Sequence, residues 1–237
     1  MGKLLVIEGL DGAGKNTVMR ALKKHLEGLG AGVHTVAFPR YGVDVHADLI
    51  RDGLHGRLGD VTESVYGFQL LFALDRRDAA GELREALERH DVVLVDRYVA
   101  SNAAYGAARL QQSVDGEFVA WVRELEIERF DLPVPDAQIL LRVPPDVAGE
   151  RARGRAAADA ARGRDSYESD GQLQARVASV YDDLAAAAWL SEWHVVDGEH
   201  EVDARKLAID LGFDSEITRT GHEEAVRRKR QADTAGA

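Results

Sequence analysis

Apolar, β-prone runs recur along the chain with longer segments of helical period between them. KLLVIE (3 to 8), VHTVAF (33 to 38), DVVLVD (91 to 96), AQILLRV (137 to 143) and WHVV (193 to 196) read as strands. Helical patterns fall near 14 to 29, 44 to 54, 62 to 89, 100 to 111, 115 to 129, 145 to 153, 168 to 189 and 201 to 211. Strands that alternate with helices predict an α/β fold, here a three-layer sandwich on a five-stranded parallel sheet. The cluster of Gly28, Gly30 and Gly32 is expected to end the first helix, because glycine accepts left-handed cap geometry. No internal repeat is visible. Residues 1 to 212 read as one domain, and residues 213 to 237, with the run Arg227, Arg228, Lys229 and Arg230, as a flexible, solvated tail.

Composition narrows the classes. The 237 residues fit one α/β domain with a sizeable core, and 45% hydrophobic with 30% charged residues is ordinary for a globular protein. No apolar run approaches the roughly 18 residues of a membrane span, and the N-terminus lacks a secretory layout, so no membrane is expected and a cytoplasmic location is. The absence of cysteine excludes disulfides and thiolate metal sites. A net charge of -11 argues against a nucleic acid polymer as partner, while local arginine clusters leave room for a small anion.

EGLDGAGKNT, Glu8 to Thr17, completes the phosphate-loop pattern G-x-x-x-x-G-K-[ST] except at Asn16, where a hydroxyl would hold Mg²⁺. Gly9, Gly12 and Gly14 lie between a predicted strand and a predicted helix, where backbone N–H groups can turn toward phosphate. Lys15 would reach the β and γ phosphates, and the whole loop from Gly9 through Leu10, Asp11, Gly12, Ala13, Gly14, Lys15 and Asn16 to Thr17 is the candidate ATP site. There is no N-K-x-D for guanine and no Asp-Glu pair for water activation. The third strand ends instead in Asp96 and Arg97, at the carboxyl edge where open α/β sheets bind ligands.

EGLDGAGKNT, then Phe38-Pro39-Arg40-Tyr41, LFALDRR (71 to 77) and DRYVASNAAY (96 to 105), in that order and spacing, resemble thymidylate kinase, particularly its actinobacterial form, over about residues 3 to 212. The resemblance implies a P-loop kinase fold, a homodimer, and Mg²⁺-dependent transfer of the γ-phosphoryl group of ATP to dTMP. Arg40 and Arg97 offer planar forks suited to the acceptor phosphate. By resemblance Phe72 stacks on thymine, Arg76 donates to a thymine carbonyl, Asn102 pairs with the base edge and Tyr105 crowds the sugar 2′ position. Asp11, Phe38, Tyr41, Asp165 and Tyr167 complete the expected acceptor site. Taken singly, Phe72 reads as core, Asn102 as a helix cap and Tyr105 as a core aromatic with a wet hydroxyl. The Phe38-Pro39 bond is expected to be cis, turning Arg40 inward.

The segment Gly149 to Asp170 carries Arg151, Arg153, Arg155, Arg162 and Arg164 in an acidic chain. Its bland reading is an alanine-rich helix with solvated arginines. By resemblance it is a lid, about residues 149 to 165, whose Arg151 and Arg155 act with Lys15 and Arg97 in catalysis. Positions 10 to 13 hold no arginine, so the lid must supply one; such arginines contribute on the order of 10³-fold or more in phosphoryl transfer. The resemblance assigns the metal to Asp11 and Glu168, leaving Asn16 dispensable as a ligand. Two alternatives stay open: a kinase with another acceptor, such as a deoxynucleoside, and a nucleotide-binding protein without transfer activity. The former would not need both Arg40 and Arg97 aimed at a phosphate, nor the latter the lid arginines.

Overall fold

The computed structural model describes residues 1–158, 167 and 170–214, with backbone alone at 155–158. Five strands, β1 (Lys3–Glu8), β2 (Val33–Ala37), β3 (Val92–Asp96), β4 (Ala137–Arg142) and β5 (Glu192–Asp197), form one all-parallel sheet in the order β2-β3-β1-β4-β5. The three central strands are buried almost throughout because helices cover them. Leu4 to Ile7, Val92 to Val95 and Ile139 to Leu141 make the middle of the core. The edge strand β5 alternates between partly covered and exposed positions.

Helices α1 (Lys15–Gly28), α2 (Val45–Leu54), α3 (Asp60–Glu63), α4 (Val65–Asp78), α5 (Ala80–Arg89), α6 (Val99–Leu110), α7 (Glu117–Val122), α8 (Pro145–Ala158), α9 (Gly171–Ala186) and α10 (Ala204–Asp210) flank the sheet. Helix α1 packs on α10 and on the β1–β3 side, while α9 packs on α6 and on β4 and β5. No described helix is long and apolar enough to cross a membrane.

The strands fall where the pattern placed them, to within a residue or two. The segment expected as one helix over 62 to 89 divides into three: Ser64 leaves helical geometry and its Oγ accepts from the Gly67 N–H at 3.1 Å, and a second boundary falls at Ala79. The segment expected over 115 to 129 changes character midway: α7 gives way to a π-helix at Arg123–Arg129, seen in the five-residue bond from Phe130 N–H to the Leu125 carbonyl. Helix α9 starts at 171, not 168, because Asp170 caps it, accepting from the N–H groups of Gln172 and Leu173. Helix α8 runs beyond the expected 153. The Phe38-Pro39 bond is cis, as expected.

Candidate active site

The register sets the carboxyl ends of β1, β3 and β4 side by side, with Ile7 opposite Asp96 and Glu8 opposite Leu140. The loop after β1 turns there on three left-handed glycines, Gly9, Gly12 and Gly14. At Gly12 a side chain is excluded twice over, by a φ of +92° and by the Ala148 carbonyl oxygen 2.0 Å from where a Cβ would lie. Lys15 opens α1 and is buried; its Nζ donates to the Gly9 and Leu10 carbonyls at 3.2 and 2.9 Å. Burial and, after it, Arg97 pull the Lys15 ammonium down to about 8 against the opposing pull of Asp11, Asp96 and Glu8. Asn16 and Thr17 are exposed on the first turn of α1.

Arg97 begins the β3–α6 connection in left-handed conformation, φ 65°, its N–H bonded to the Ile7 carbonyl. Its guanidinium donates to Asp11 Oδ1 at 2.6 Å, Ser101 Oγ at 3.2 Å and the Tyr105 hydroxyl at 3.3 Å. The Tyr105 hydroxyl donates in turn to Asp11 Oδ2 at 2.9 Å. Burial works to raise the Asp11 carboxyl, but Arg97, Lys15 and these hydrogen bonds outweigh it and hold it well below the usual carboxylate range. Asp11 is therefore an anion at any working pH, with 26% of its side chain open.

Beneath this pair lies Glu8, fully buried at the end of β1. It accepts from the N–H groups of Tyr98 and Ser101 and from the hydroxyls of Ser101 and Tyr181 at 2.5 and 2.8 Å. These four bonds satisfy a buried carboxylate and tie the phosphate loop to the start of α6. Ser101 and Tyr181 carry no motif of their own in the sequence, and for Glu8 the available signal is a single Glu closing an apolar strand.

From Asp11 and Arg97 a cavity runs inward past Tyr105 and Tyr167 to Phe72, Gln69, Arg76 and Asn102, with Phe38, Pro39 and Tyr41 along another wall. The Tyr105 and Tyr167 rings stack at 5.6 Å, and Arg109 donates to the Tyr167 hydroxyl at 2.7 Å. Phe72 packs edge-on against Phe68 and still reaches the cavity. Further along, Arg76 and Asn102 are buried, and two buried amide atoms, Asn102 Oδ1 and Gln69 Nε2, have no partner among the described residues.

Of the residues expected at the acceptor, the structure brings Asp11, Phe38, Tyr41, Phe72, Arg76, Arg97, Asn102, Tyr105 and Tyr167 to this cavity. It does not bring Arg40. That guanidinium is turned onto acidic groups, with bonds to Asp75 Oδ1 at 2.8 Å, Asp44 Oδ2 at 2.9 Å and the Asp75 carbonyl, and a longer one to Glu82. Three carboxylates satisfy its donors better than an open wall would. Arg151 also departs from its expected place: it donates to the Gly198 and Glu199 carbonyls at 2.7 and 2.9 Å, on the loop after β5. Asp165, Glu168 and the Arg155 side chain lie outside the described residues. Away from the cavity, Asp44, His46 and Asp78 gather ligand atoms within 4.8 Å of one another. Arg40 already neutralises Asp44 there.

A second groove lies across the phosphate loop, between Gly9 and Leu10 on one side and Arg142, Pro144, Asp197 and Glu199 on the other. The site thus has two clefts sharing one loop, with a cation and an anion between them. A family model described as Thymidylate kinase matches residues 7–209. The chain is 49% identical over 208 residues to the thymidylate kinase of Mycobacterium tuberculosis, covering 88% of this chain and 96% of that one. It is 36% identical over 220 residues to the thymidylate kinase of Leifsonia xyli, covering 91% and 96%. With the probable thymidylate kinase of Thermococcus gammatolerans it shares 30% over 207 residues, covering 86% and 91%.

Proposed function

Because the chain belongs to the thymidylate kinase family, we propose that the cavity from Arg97 to Asn102 receives dTMP and that the groove across the phosphate loop receives ATP. The protein is an ATP-dependent nucleoside monophosphate kinase that phosphorylates dTMP to dTDP. The observation that carries the site assignment is one continuous cavity. Its lining combines the Arg97 guanidinium, an aromatic wall, and buried amide atoms without a partner among the described residues.

A nucleoside monophosphate placed there lays its base along Phe72 and directs its phosphate to Arg97. The base edge faces Asn102 and Arg76, and Tyr105 closes the space a 2′-hydroxyl would need. Lys15 and the N–H groups of the loop from Gly9 to Thr17 hold the β and γ phosphates of ATP. The γ-phosphoryl group then passes in line to the acceptor oxygen, with Lys15 and Arg97 offsetting charge on its oxygens. Arg97 is the acceptor-phosphate donor in this reading, without Arg40. The lid, about residues 149 to 165, remains the expected source of further arginines, Arg155 and Arg151 among them; for Arg151 this needs release from the Gly198 and Glu199 carbonyls.

Magnesium fits the residues present. Asp11 stays ionised and partly open, and Asp96 Oδ1 is buried without a partner. Asp11 and Glu168 would supply the main carboxylates to a divalent ion or its waters, with Asp96 Oδ1 as a further acceptor. Bound there, the ion neutralises charge on the phosphate oxygens. The rest of the reading is a catalytic unit over residues 1 to 212 with a tail beyond it, a homodimer and a cytoplasmic location; sedimentation tests the dimer. Coupled detection of ADP release across nucleoside monophosphates tests the acceptor. dTMP should lead and dUMP should follow as a weaker substrate, since one methyl group is worth about 1 to 3 kcal/mol. Equal turnover of dTMP with CMP or AMP would refute the assignment.

A further inference from the structure

The inner end of the cavity rests on a buried carboxylate outside the cavity wall. Glu126, in the π-helical stretch Arg123–Arg129, is fully buried. Its Oε2 accepts from Arg76 Nε at 2.6 Å and its Oε1 from Arg76 Nη2 at 2.8 Å, a bidentate pair. Oε1 also accepts from Asn102 Nδ2 at 2.6 Å. The same Nδ2 donates to the Gln69 carbonyl at 3.3 Å.

This geometry removes the ordinary ambiguity of an amide. An ionised carboxylate only accepts, so the Asn102 atom 2.6 Å from it must be the nitrogen. Both nitrogen hydrogens are then committed, to Glu126 and to Gln69. Oδ1 is left buried and partnerless on a residue that lines the cavity. Asn102 can therefore only accept from a ligand, and Arg76 beside it can only donate. An N–H next to a carbonyl on the ligand satisfies both. A bare ring nitrogen next to an amino group would set lone pair against lone pair and donor against donor.

We propose that Glu126 is a positioning and specificity-determining residue. By fixing the Asn102 amide oxygen-inward and Arg76 beside it, it makes the inner wall accept a pyrimidine edge with N–H beside carbonyl and disfavour one with bare nitrogen beside amino. The proposal rests on the reading of this cavity as the acceptor-base site. Glutamine at position 126 can donate as well as accept, so it relaxes the constraint on Asn102 and leaves only the longer 3.3 Å bond to the Gln69 carbonyl to hold the amide.

The test compares kcat/KM for dTMP and dCMP in the parent and in Glu126→Gln, with hydrogen exchange of the Asn102 side-chain amide followed by NMR in the unliganded parent. The ratio of dTMP to dCMP should fall by about tenfold or more in the variant, mostly through KM for dTMP, because unpaired buried polar groups dominate such discrimination. A general loss of packing would lower both substrates together and leave the ratio in place. If the parent discriminates and the variant keeps the ratio within about twofold, Glu126 has no such role. If the parent itself does not prefer dTMP, the base-site reading falls and takes the specificity claim with it. Should the variant not fold, the parent decides: a slowly exchanging Asn102 amide supports the fixed orientation, and exchange at the rate of a free amide overturns it.

Discussion

Raising the pH from 7 to 9.5 should weaken ATP binding by roughly thirtyfold through Lys15 alone. Lys15 is 8% exposed, and burial with Arg97 nearby lowers its ammonium from 10.5 to about 8 in the free protein. Phosphate oxygens favour the charged form that burial disfavours, so binding raises the ammonium's pKa back toward its ordinary range. Above pH 8 the loss steepens, from about fivefold over the first pH unit toward tenfold per unit, because a proton must be taken up before the phosphates are held. Calorimetry in two buffers of different ionisation enthalpy reads this directly: uptake of about one proton at pH 9 and only about a tenth of one at pH 7. Lys15→Arg keeps its charge and should lose the slope. Stability carries a definite sign as well. Below about pH 8 the folded protein bears the full cost of a charged buried lysine, on the order of 3 kcal/mol. That cost is relieved as pH rises from about 8 toward 10.5, where the folded state has released a proton that the unfolded chain still holds. A dissociation constant flat across this range, or the same slope in Lys15→Arg, would refute the reasoning.

Arg97→Ala should lower both dTMP affinity and turnover, by about 1.5 to 3 kcal/mol for the lost charged donor and more because Asp11 loses its ion-pair partner; near-normal steady-state kinetics would mean the phosphate lies elsewhere. Asp11→Ala should raise the Mg²⁺ requirement sharply, whereas Asn16→Ala keeps substantial activity and Asn16→Thr stays near the parent. An Asn16→Ala protein that is inactive at every Mg²⁺ concentration, with Asp11→Ala titrating like the parent, would reverse that assignment. Gly106→Ala should destabilise the protein by about 1 to 3 kcal/mol in urea unfolding. A Cβ at that position lies 2.0 Å from Phe118 Cε1, well inside contact distance.

The sheet was legible because three strands are buried on both faces and must be apolar along their length; no tertiary partner is needed to see that. The phosphate loop was legible for a related reason. Its glycines, lysine and flanking elements act within ten residues, so spacing alone carries the geometry. Helix boundaries were less so. Nothing in the composition of 62 to 89 distinguishes Ser64 as a cap from Ser64 on a helix face, and the turn it ends contains no glycine or proline. The π-helical stretch RELEIER reads as a solvated charged face, yet Glu126 within it is fully buried.

Charge pairing over long sequence separations is where sequence reasoning failed at the site. An arginine's neighbours along the chain do not say which carboxylate it meets in space. Arg40, four residues from Asp44 but 35 from Asp75, is captured by both and leaves the cavity wall to Arg97. Arg76 meets Glu126 from 50 residues away, and that contact fixes how Asn102 faces the ligand. The same logic bears on the missing hydroxyl of the phosphate loop. Asn16 sits exposed on α1, apart from the Arg97, Tyr105 and Lys15 electrostatics that hold Asp11 ionised. A divalent cation responds to fixed negative charge more than to a neutral dipole. In the proposed reading the loop can therefore lose the hydroxyl at position 16 at little cost provided Asp11 keeps its charge, and Arg97, by holding that charge, would serve the metal and the acceptor phosphate together.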